Sequence, residues 1–249
     1  MIAVIGAAGT IGSKVLEFLE AWDAAAAPRD FRLQGDEHVD ARDPASLARA
    51  LAGASVCVNC ADYRLNLEVM EGALRAGCHY IDLGGLFHMT RRQLGLHDRF
   101  LEDGRTAILG MGSAPGKTNL LASAAIRRLG AAPSSLEIWA ATRDPAAAGH
   151  PLPITYSAQT LLDELRMRPV VLHEGELVEV EPLSGAAKRE LPELDEVEAI
   201  YTLHSELATL PAAFPSLREA SFRLSLSPGL IDKLLALGDE LPEPYVQSA

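Results

Sequence analysis

The chain has 249 residues, of which 48% are hydrophobic and 22% charged, a balance that suits a folded globular protein and excludes a disordered one. Lys plus Arg number 22 against 34 Asp plus Glu, so the net charge is −12, which argues against nucleic acid or an anionic membrane as a partner. No apolar run reaches the ~18 residues that a bilayer span requires. The opening MIAVIGAAGT has no basic stretch ahead of its apolar one, against a secretory leader. Three clustered cysteines, Cys57, Cys60 and Cys78, are too few for a disulfide framework and point to a reduced, cytoplasmic setting.

In chain order, Ile2 to Ile5 reads as a buried strand running into glycines. Ile11 to Leu19 has helical spacing, with Ile11, Val15, Leu16, Phe18 and Leu19 able to share a face. Phe31 to Leu33 is a weak second strand. Asp43-Pro44 opens a helix over Ser46 to Leu51, with Asp43 as N-cap and Pro44 in the first turn. Ser55 to Asn59 is a third apolar run, and Asn66 to Ala76 a helix with Asn66 read as its cap. Tyr80 to Leu83 is a strand closed by Gly84-Gly85. Met89 to Leu101 is an amphipathic helix ended by Asp103-Gly104, and Thr106 to Leu109 is a strand closed by Gly110. Strands alternating with helices at this spacing predict an α/β fold: a parallel, Rossmann-type sheet over residues 1–116. The alternation stops near Gly116, so residues 117–249 are expected to form a smaller, apparently shortened α+β domain for substrate and dimerisation. There, Thr118 to Leu129 is a helix and Ser135 to Ala141 a strand. Ala146 to Tyr156 reads as a loop and Gln159 to Leu165 as a short helix. Pro169 to Val180 turns as a hairpin at Glu174-Gly175-Glu176, acidic and proline-bearing turns follow, and Ala199 to Leu203 and Ser221 to Leu226 are strands.

Gly6-Ala7-Ala8-Gly9-Thr10-Ile11-Gly12 is the strongest local signal. It follows a strand and opens a helix, the context in which small residues let the backbone approach a diphosphate and the helix N-terminus offers free N–H groups. Gly6, Gly9, Thr10, Ile11 and Gly12 are therefore the expected cofactor cradle. An acid after the second strand would take the ribose 2′-hydroxyl of NAD, and an arginine the 2′-phosphate of NADP. Asp36 tilts the reading slightly toward NAD; a solvated loop acid is the equal alternative.

Three other patterns are set aside. Cys57-Val58-Asn59-Cys60 has no second pair, and residues three apart on a strand face opposite ways, so buried thiols are the better reading than zinc or redox chemistry. Gly110 to Thr118 resembles a phosphate-binding P-loop, but Met111 stands where a glycine is needed and Pro115 removes an N–H. Every tyrosine lacks a lysine four residues on, against a short-chain dehydrogenase.

Taken together and in order, the glycine turn, Val56-Cys57-Val58-Asn59-Cys60-Ala61, Gly77-Cys78-His79-Tyr80-Ile81-Asp82-Leu83-Gly84-Gly85 and Gly110 to Asn119 (GMGSAPGKTN) resemble the saccharopine dehydrogenase family. Tyr63 and Asn66, His88-Met89-Thr90, Ala114-Pro115-Gly116 and the runs Tyr156 to Leu165 and Glu196 to Tyr201 are most like its lysine 6-dehydrogenase branch. The resemblance implies NAD or NADP as cofactor, an amino acid or amine as substrate and a homo-oligomer, a dimer. It also implies that Asn59, Cys60, Ala61, Met111 and Gly112 line the cofactor. The implied chemistry is oxidation at a carbon–nitrogen bond. Hydride leaves the carbon that carries an amine, so a base must first take a proton from the ammonium. Asp82, at a strand's C-terminal end, is one candidate, with a turn-capping role as the alternative. His88 is the other, with a solvated helix residue as its alternative. Tyr63 either orients substrate or packs. A reductase of the saccharopine or carboxynorspermidine type is a second reading, and two departures from the family pattern keep open a third, a shortened, non-catalytic nucleotide binder. The segment from Phe31 to Ala45 is too short for the usual helix, and Leu241 to Ala249 is a polar tail where the family continues.

Overall fold

The computed structural model describes residues 1–142 and 157–237. The loop expected at Ala146 to Tyr156 lies outside the described residues, as does the tail from Leu241. The chain divides into two compact units, Met1–Gly116 and Lys117–Ser248.

The first unit is an α/β layer structure. Strands β1 (Ile2–Ile5), β2 (Ala26–Arg29), β3 (Val56–Asn59), β4 (His79–Asp82) and β5 (Ala107–Ile108) form one parallel sheet in the order β2-β1-β3-β4-β5. Helices α1 (Thr10–Ala21), α2 (Pro44–Ala50), α3 (Asn66–Arg75), α4 (Phe87–Leu94) and α5 (His97–Glu102) make the connections. One face of the sheet is sealed by Leu47, Leu51, Val69, Met70, Ala73, Leu74 and Phe100 against Ala3, Ile5, Cys57 and Tyr80. Helix α1 packs on β1 and β2, yet only its Gly12 is buried, and Ile11, Phe18 and Trp22 face outward. The expected common face of Ile11 and Phe18 with Val15, Leu16 and Leu19 therefore turns partly away from the sheet.

Local chemistry explains most boundaries. Asp43 caps α2 by accepting from the N–H groups of Ala45 and Ser46, with Pro44 in the first turn. Gly95 closes α4 and lets the chain restart as α5, so the single helix expected over Met89 to Leu101 is two. The second strand is Ala26–Arg29 and not Phe31 to Leu33. Alanine has little intrinsic strand preference, but here the segment lies beside β1 in the sheet, pairing Ile2 with Ala26 through Ile5 with Arg29. Phe31 is exposed in the turn that follows. Between β2 and α2 there is one short 3₁₀ turn, Gly35–Glu37, in keeping with the shortened segment read from the sequence.

The second unit opens with α6 (Lys117–Leu129). Its sheet is built around β11 (Glu219–Leu224), which runs parallel to β6 (Ser135–Ala140) and antiparallel to β7 (Val170–His173) and β10 (Asp195–Tyr201), with β8 (Glu176–Glu179) and β9 (Ala187–Leu191) outside them. Strand β9 lies where only turns were expected. The β7–β8 hairpin turns at Glu174 and Gly175, whose φ angles of 52° and 88° are those of a tight primed turn. Helices α7 (Ala158–Arg166) and α9 (Pro228–Ala236) pack through Leu161, Leu162, Leu165, Leu230 and Leu234, each helix capped by a serine, Ser157 or Ser227. A short helix, α8 (Leu210–Ala213), precedes β11. Among the described residues no helix is long and apolar enough to cross a membrane.

Candidate functional site

In an open parallel sheet, ligands lie beyond the C-terminal strand ends where the winding direction switches. Here the switch falls between β1 and β3, because β2 lies on one side of β1 and β3 on the other. The loops that leave β1 and β3 carry Gly6 to Gly12 and Asn59 to Ala61.

These two loops are packed backbone to backbone. Gly6 has φ +78°, and a methyl group on it would lie 2.6 Å from the Ala61 nitrogen and 2.7 Å from the Cys60 carbonyl. A methyl on Gly12 would lie 2.1 Å from the Gly6 oxygen. The Gly9 N–H donates to the Gly6 carbonyl at 3.0 Å, and the Ser13 N–H to that of Gly9 at 2.9 Å. Gly9 caps α1 with no side chain, so the first-turn N–H groups of Thr10, Ile11 and Gly12 are those that a helix leaves without an intrahelical acceptor. The turn is thus a cradle of backbone donors kept open by missing side chains, which is what a diphosphate requires.

Asn59 does not face that cradle. Its Nδ2 donates to Asn66 Oδ1 at 2.9 Å and to the Tyr80 hydroxyl at 3.1 Å, and its Oδ1 accepts from the Ala61 N–H at 3.1 Å. It shapes the loop from beneath. Asn66 is buried in the first turn of α3 and is not its cap, as the sequence had suggested. It bridges two strand ends by bonding Asn59 and donating to the Gly84 carbonyl at 3.1 Å. Burial and the nearby Asp82 push the Tyr80 hydroxyl well above its ordinary pKa.

Asp82 is wholly buried at the end of β4. Its Oδ1 accepts from the Gly84 N–H at 2.9 Å and the Gly110 N–H at 2.7 Å, and its Oδ2 from Gln93 Nε2 at 2.6 Å. Its backbone carbonyl accepts from the Met111 N–H at 2.8 Å. Asp82 therefore ties the loops after β4 and β5 together. This geometry favours the turn-holding role over the base, since the carboxylate is enclosed by N–H donors. Met111 is exposed on the loop it anchors, and a methyl on Gly112 would lie 2.6 Å from the Leu83 carbonyl.

His88 is exposed near the start of α4, its ring edge-on to Phe87 at 5.3 Å. Tyr63 is half-buried in the 3₁₀ turn Tyr63–Leu65, with the Arg64 guanidinium over its ring. Cys57 and Cys78 are buried and Cys60 half-buried. Burial pushes the thiols of all three up, that of Cys60 to about 12. The described residues include no group of His, Cys, Asp and Glu able to hold a metal.

Asp36 is exposed in the 3₁₀ turn and does not end β2. The acid at the end of β2 is Asp30, which the sequence reading missed because it placed the strand too late. Asp30 is buried, and its carboxylate touches the glycine turn through the Ala8 N–H at 3.0 Å. Burial alone would raise its pKa, but hydrogen bonds from Arg32 and Ala8 and the Arg32 charge outweigh it and hold the carboxyl below its usual range.

A glycine turn at the switch point of a parallel sheet, with an acid closing the second strand, defines the first unit as a dinucleotide-binding domain of the Rossmann type. Residues 2–108 match the family model of the saccharopine dehydrogenase NADP binding domain. Carboxyaminopropylagmatine dehydrogenase of Synechocystis sp. is 24% identical over 192 residues, which cover 74% of this chain and 48% of the relative. The fold resembles that of apo saccharopine dehydrogenase (L-Glu forming) from Saccharomyces cerevisiae, with a TM-score of 0.61 and 16% identity over 95% of this chain and 57% of that one. The chain spans about half the length of the curated relative that it matches.

Proposed function

We propose that the chain is an NAD(P)-dependent oxidoreductase acting at a carbon–nitrogen bond of an amino acid or amine. The observation that carries this reading is the cradle at the β1/β3 switch, where Gly6 and Gly12 admit no side chain and the first turn of α1 offers its N–H groups. Thr10, Ile11 and Gly12 would hold the diphosphate, and the backbone of Cys60 and Ala61 would border it. Met111 and Gly112, on the loop anchored by Asp82, would flank the nicotinamide, which accepts or returns the hydride when bound.

This chain's own residues would then do three things. The glycine turn orients the cofactor by backbone contacts alone. Asp82, through Gly84, Gly110 and Gln93, keeps the loops after β4 and β5 in a fixed shape. His88, exposed near the start of α4, takes the proton from the substrate ammonium, with Tyr63 orienting that substrate. A homodimer in a reduced, cytoplasmic setting belongs to the same proposal.

Within it, oxidative deamination of a primary amine, of the lysine 6-dehydrogenase kind, rests on the motifs around Tyr63, His88 and Ala114-Pro115-Gly116. The reductase reading, in which an amine and an aldehyde are joined, draws support from the named relative, a carboxyaminopropylagmatine dehydrogenase. A calorimetric titration with NADH and NADPH tests the cofactor, and a flat trace with both removes the proposal. Reduced-dinucleotide absorbance, followed with lysine alone and with amine plus semialdehyde, separates the two reactions. Cofactor binding without turnover of any substrate would instead identify a non-catalytic nucleotide binder.

A further inference from the structure

The loops that leave β3, β4 and β5 are joined from beneath by one run of buried hydrogen bonds. The Ala61 N–H donates to Asn59 Oδ1 at 3.1 Å, and Asn59 Nδ2 donates to Asn66 Oδ1 at 2.9 Å. Asn66 Nδ2 in turn donates to the Gly84 carbonyl at 3.1 Å and to Gln93 Oε1 at 3.5 Å. Gln93 Nε2 and the Gly84 N–H both donate to the Asp82 carboxylate, at 2.6 and 2.9 Å, and the same carboxylate takes the Gly110 N–H at 2.7 Å. The Tyr80 hydroxyl braces the run, accepting from Asn59 at 3.1 Å and donating to the Asn66 carbonyl at 3.4 Å. Asn66 stands in the middle: one end of its amide accepts from the β3 side, the other donates to the β4 side.

Burial keeps this run taut. Asn59 and Asn66 are 1% exposed and Gln93 and Asp82 0%, so water cannot replace a bond that is pulled apart, and a displaced amide would lose its partner outright. At its first end the run has no slack either, because the Ala61 nitrogen would lie 2.6 Å from a methyl on Gly6. A ligand that immobilises the glycine turn therefore immobilises Cys60 and Ala61. The run carries that restraint to Gly110 and to Met111, whose N–H is bonded to the Asp82 carbonyl at 2.8 Å. Strand β5 stands three places from β1 in the sheet, about 14 Å at ordinary strand spacing. An adenosine on such a turn extends toward β2, away from that loop.

We propose that Asn66 is a positioning residue through which the two ends of the crevice are coupled: a ligand held at the glycine turn alone orders the loop Gly110 to Gly112 without touching it. The adenosine half of a dinucleotide thereby prepares the loop that flanks its nicotinamide half. This rests on the dinucleotide reading given above and adds how that site responds to its ligand. The coupling is one of order and not of fold: binding at the first end restricts motion that binding at the second would otherwise have to restrict, so the two halves assist each other.

The test is hydrogen exchange of the whole chain, read at single amides by NMR, with and without saturating 5′-ADP, a probe that lacks the nicotinamide. The Phe100 amide, bonded to the Leu96 carbonyl and outside the run, is the reference for any stabilisation of the unit as a whole. The expected result is that 5′-ADP slows exchange at Gly110 and Met111 by about fivefold or more beyond its effect at Phe100. Asn66→Leu should lose that excess while binding 5′-ADP within about threefold of wild type, a separation that a merely structural role would not produce. The wild-type comparison stands alone should the variant fail to fold. Bound 5′-ADP with no excess slowing at Gly110 and Met111, or an excess that survives in Asn66→Leu, overturns the proposal and leaves the dinucleotide reading intact. Absence of binding by 5′-ADP and by NADH and NADPH overturns both, so the two failures are distinguishable.

Discussion

Gly6 and Gly35 both have positive φ but opposite surroundings, which makes them a pair for testing the site. Gly6 has φ +78° and Gly35 φ +61°, so alanine at either position carries the left-handed penalty of about 1–2 kcal/mol. At Gly35 nothing lies within 4 Å of the added methyl group, and the cost should end there. At Gly6 the methyl group would meet the Ala61 nitrogen at 2.6 Å and the Cys60 carbonyl carbon and oxygen at 2.7 Å, all of them backbone atoms with no rotamer to escape into. Overpacking of this kind adds about 1–3 kcal/mol, so Gly6→Ala should be less stable than wild type by about 2–5 kcal/mol and Gly35→Ala by about 1–2. Urea unfolding followed by far-ultraviolet circular dichroism gives both values under the same conditions. Hydrogen exchange at the amides of β1 and β3 locates the loss in the first unit. Gly6→Ala should also weaken dinucleotide binding, since the strand-end loops must move apart. Equal stabilities for the two variants would refute the claim that the β1 and β3 loops are in backbone contact, and with it the cradle.

Gly9→Trp should fold yet lose NADH affinity in titration, because the side chain fills the diphosphate approach; retained affinity would refute the assignment of the turn. Asp82→Asn replaces one acceptor oxygen by a donor among three N–H donors, and should destabilise by about 1–3 kcal/mol in urea unfolding. In the second unit, His204 is buried against the Phe222 ring, with Nδ1 3.1 Å from Glu206 and Nε2 3.6 Å from Glu164. Burial would lower its pKa, but the two carboxylates outweigh that and raise it from 6.5 to about 10. A raised folded-state value means the stabilisation is complete below pH 6.5 and is lost as pH rises through about 10. The stability gap between wild type and His204→Gln should therefore shrink over that window; a constant gap would show that His204 is not held protonated. Ellman's reagent should leave all three cysteines unmodified in the folded protein at mildly alkaline pH, because burial disfavours each thiolate, and fast labelling of any one would contradict its placement.

What the sequence carried legibly was local. The glycine turn between an apolar strand and a helix, the Asp43-Pro44 helix start and the Glu174-Gly175 hairpin each announce themselves within a few residues, since backbone conformation and capping depend on near neighbours. The class of fold followed from strands and helices alternating through the first unit. The second strand did not, because Ala26–Arg29 becomes a strand only by pairing with β1, and with it went the identity of the acid that closes it.

Asn59, Asn66, Asp82 and Gln93 show the same division. Their residue types are visible in the chain, but besides two local bonds, to Gly84 and Ala61, their roles come from partners 7 to 28 residues away, in a pocket that exists only once the sheet has formed. Asp82 looked equally suited to catalysis and to holding a turn, and burial with three N–H donors favours the second. Sequence alone determined that this is an acidic, layered α/β protein with a glycine turn at its first strand, because those properties are written in composition and short-range spacing. Only the tertiary structure decided which carboxylates face inward and that Asp30 stands where Asp36 was expected, because those facts depend on which strands lie side by side.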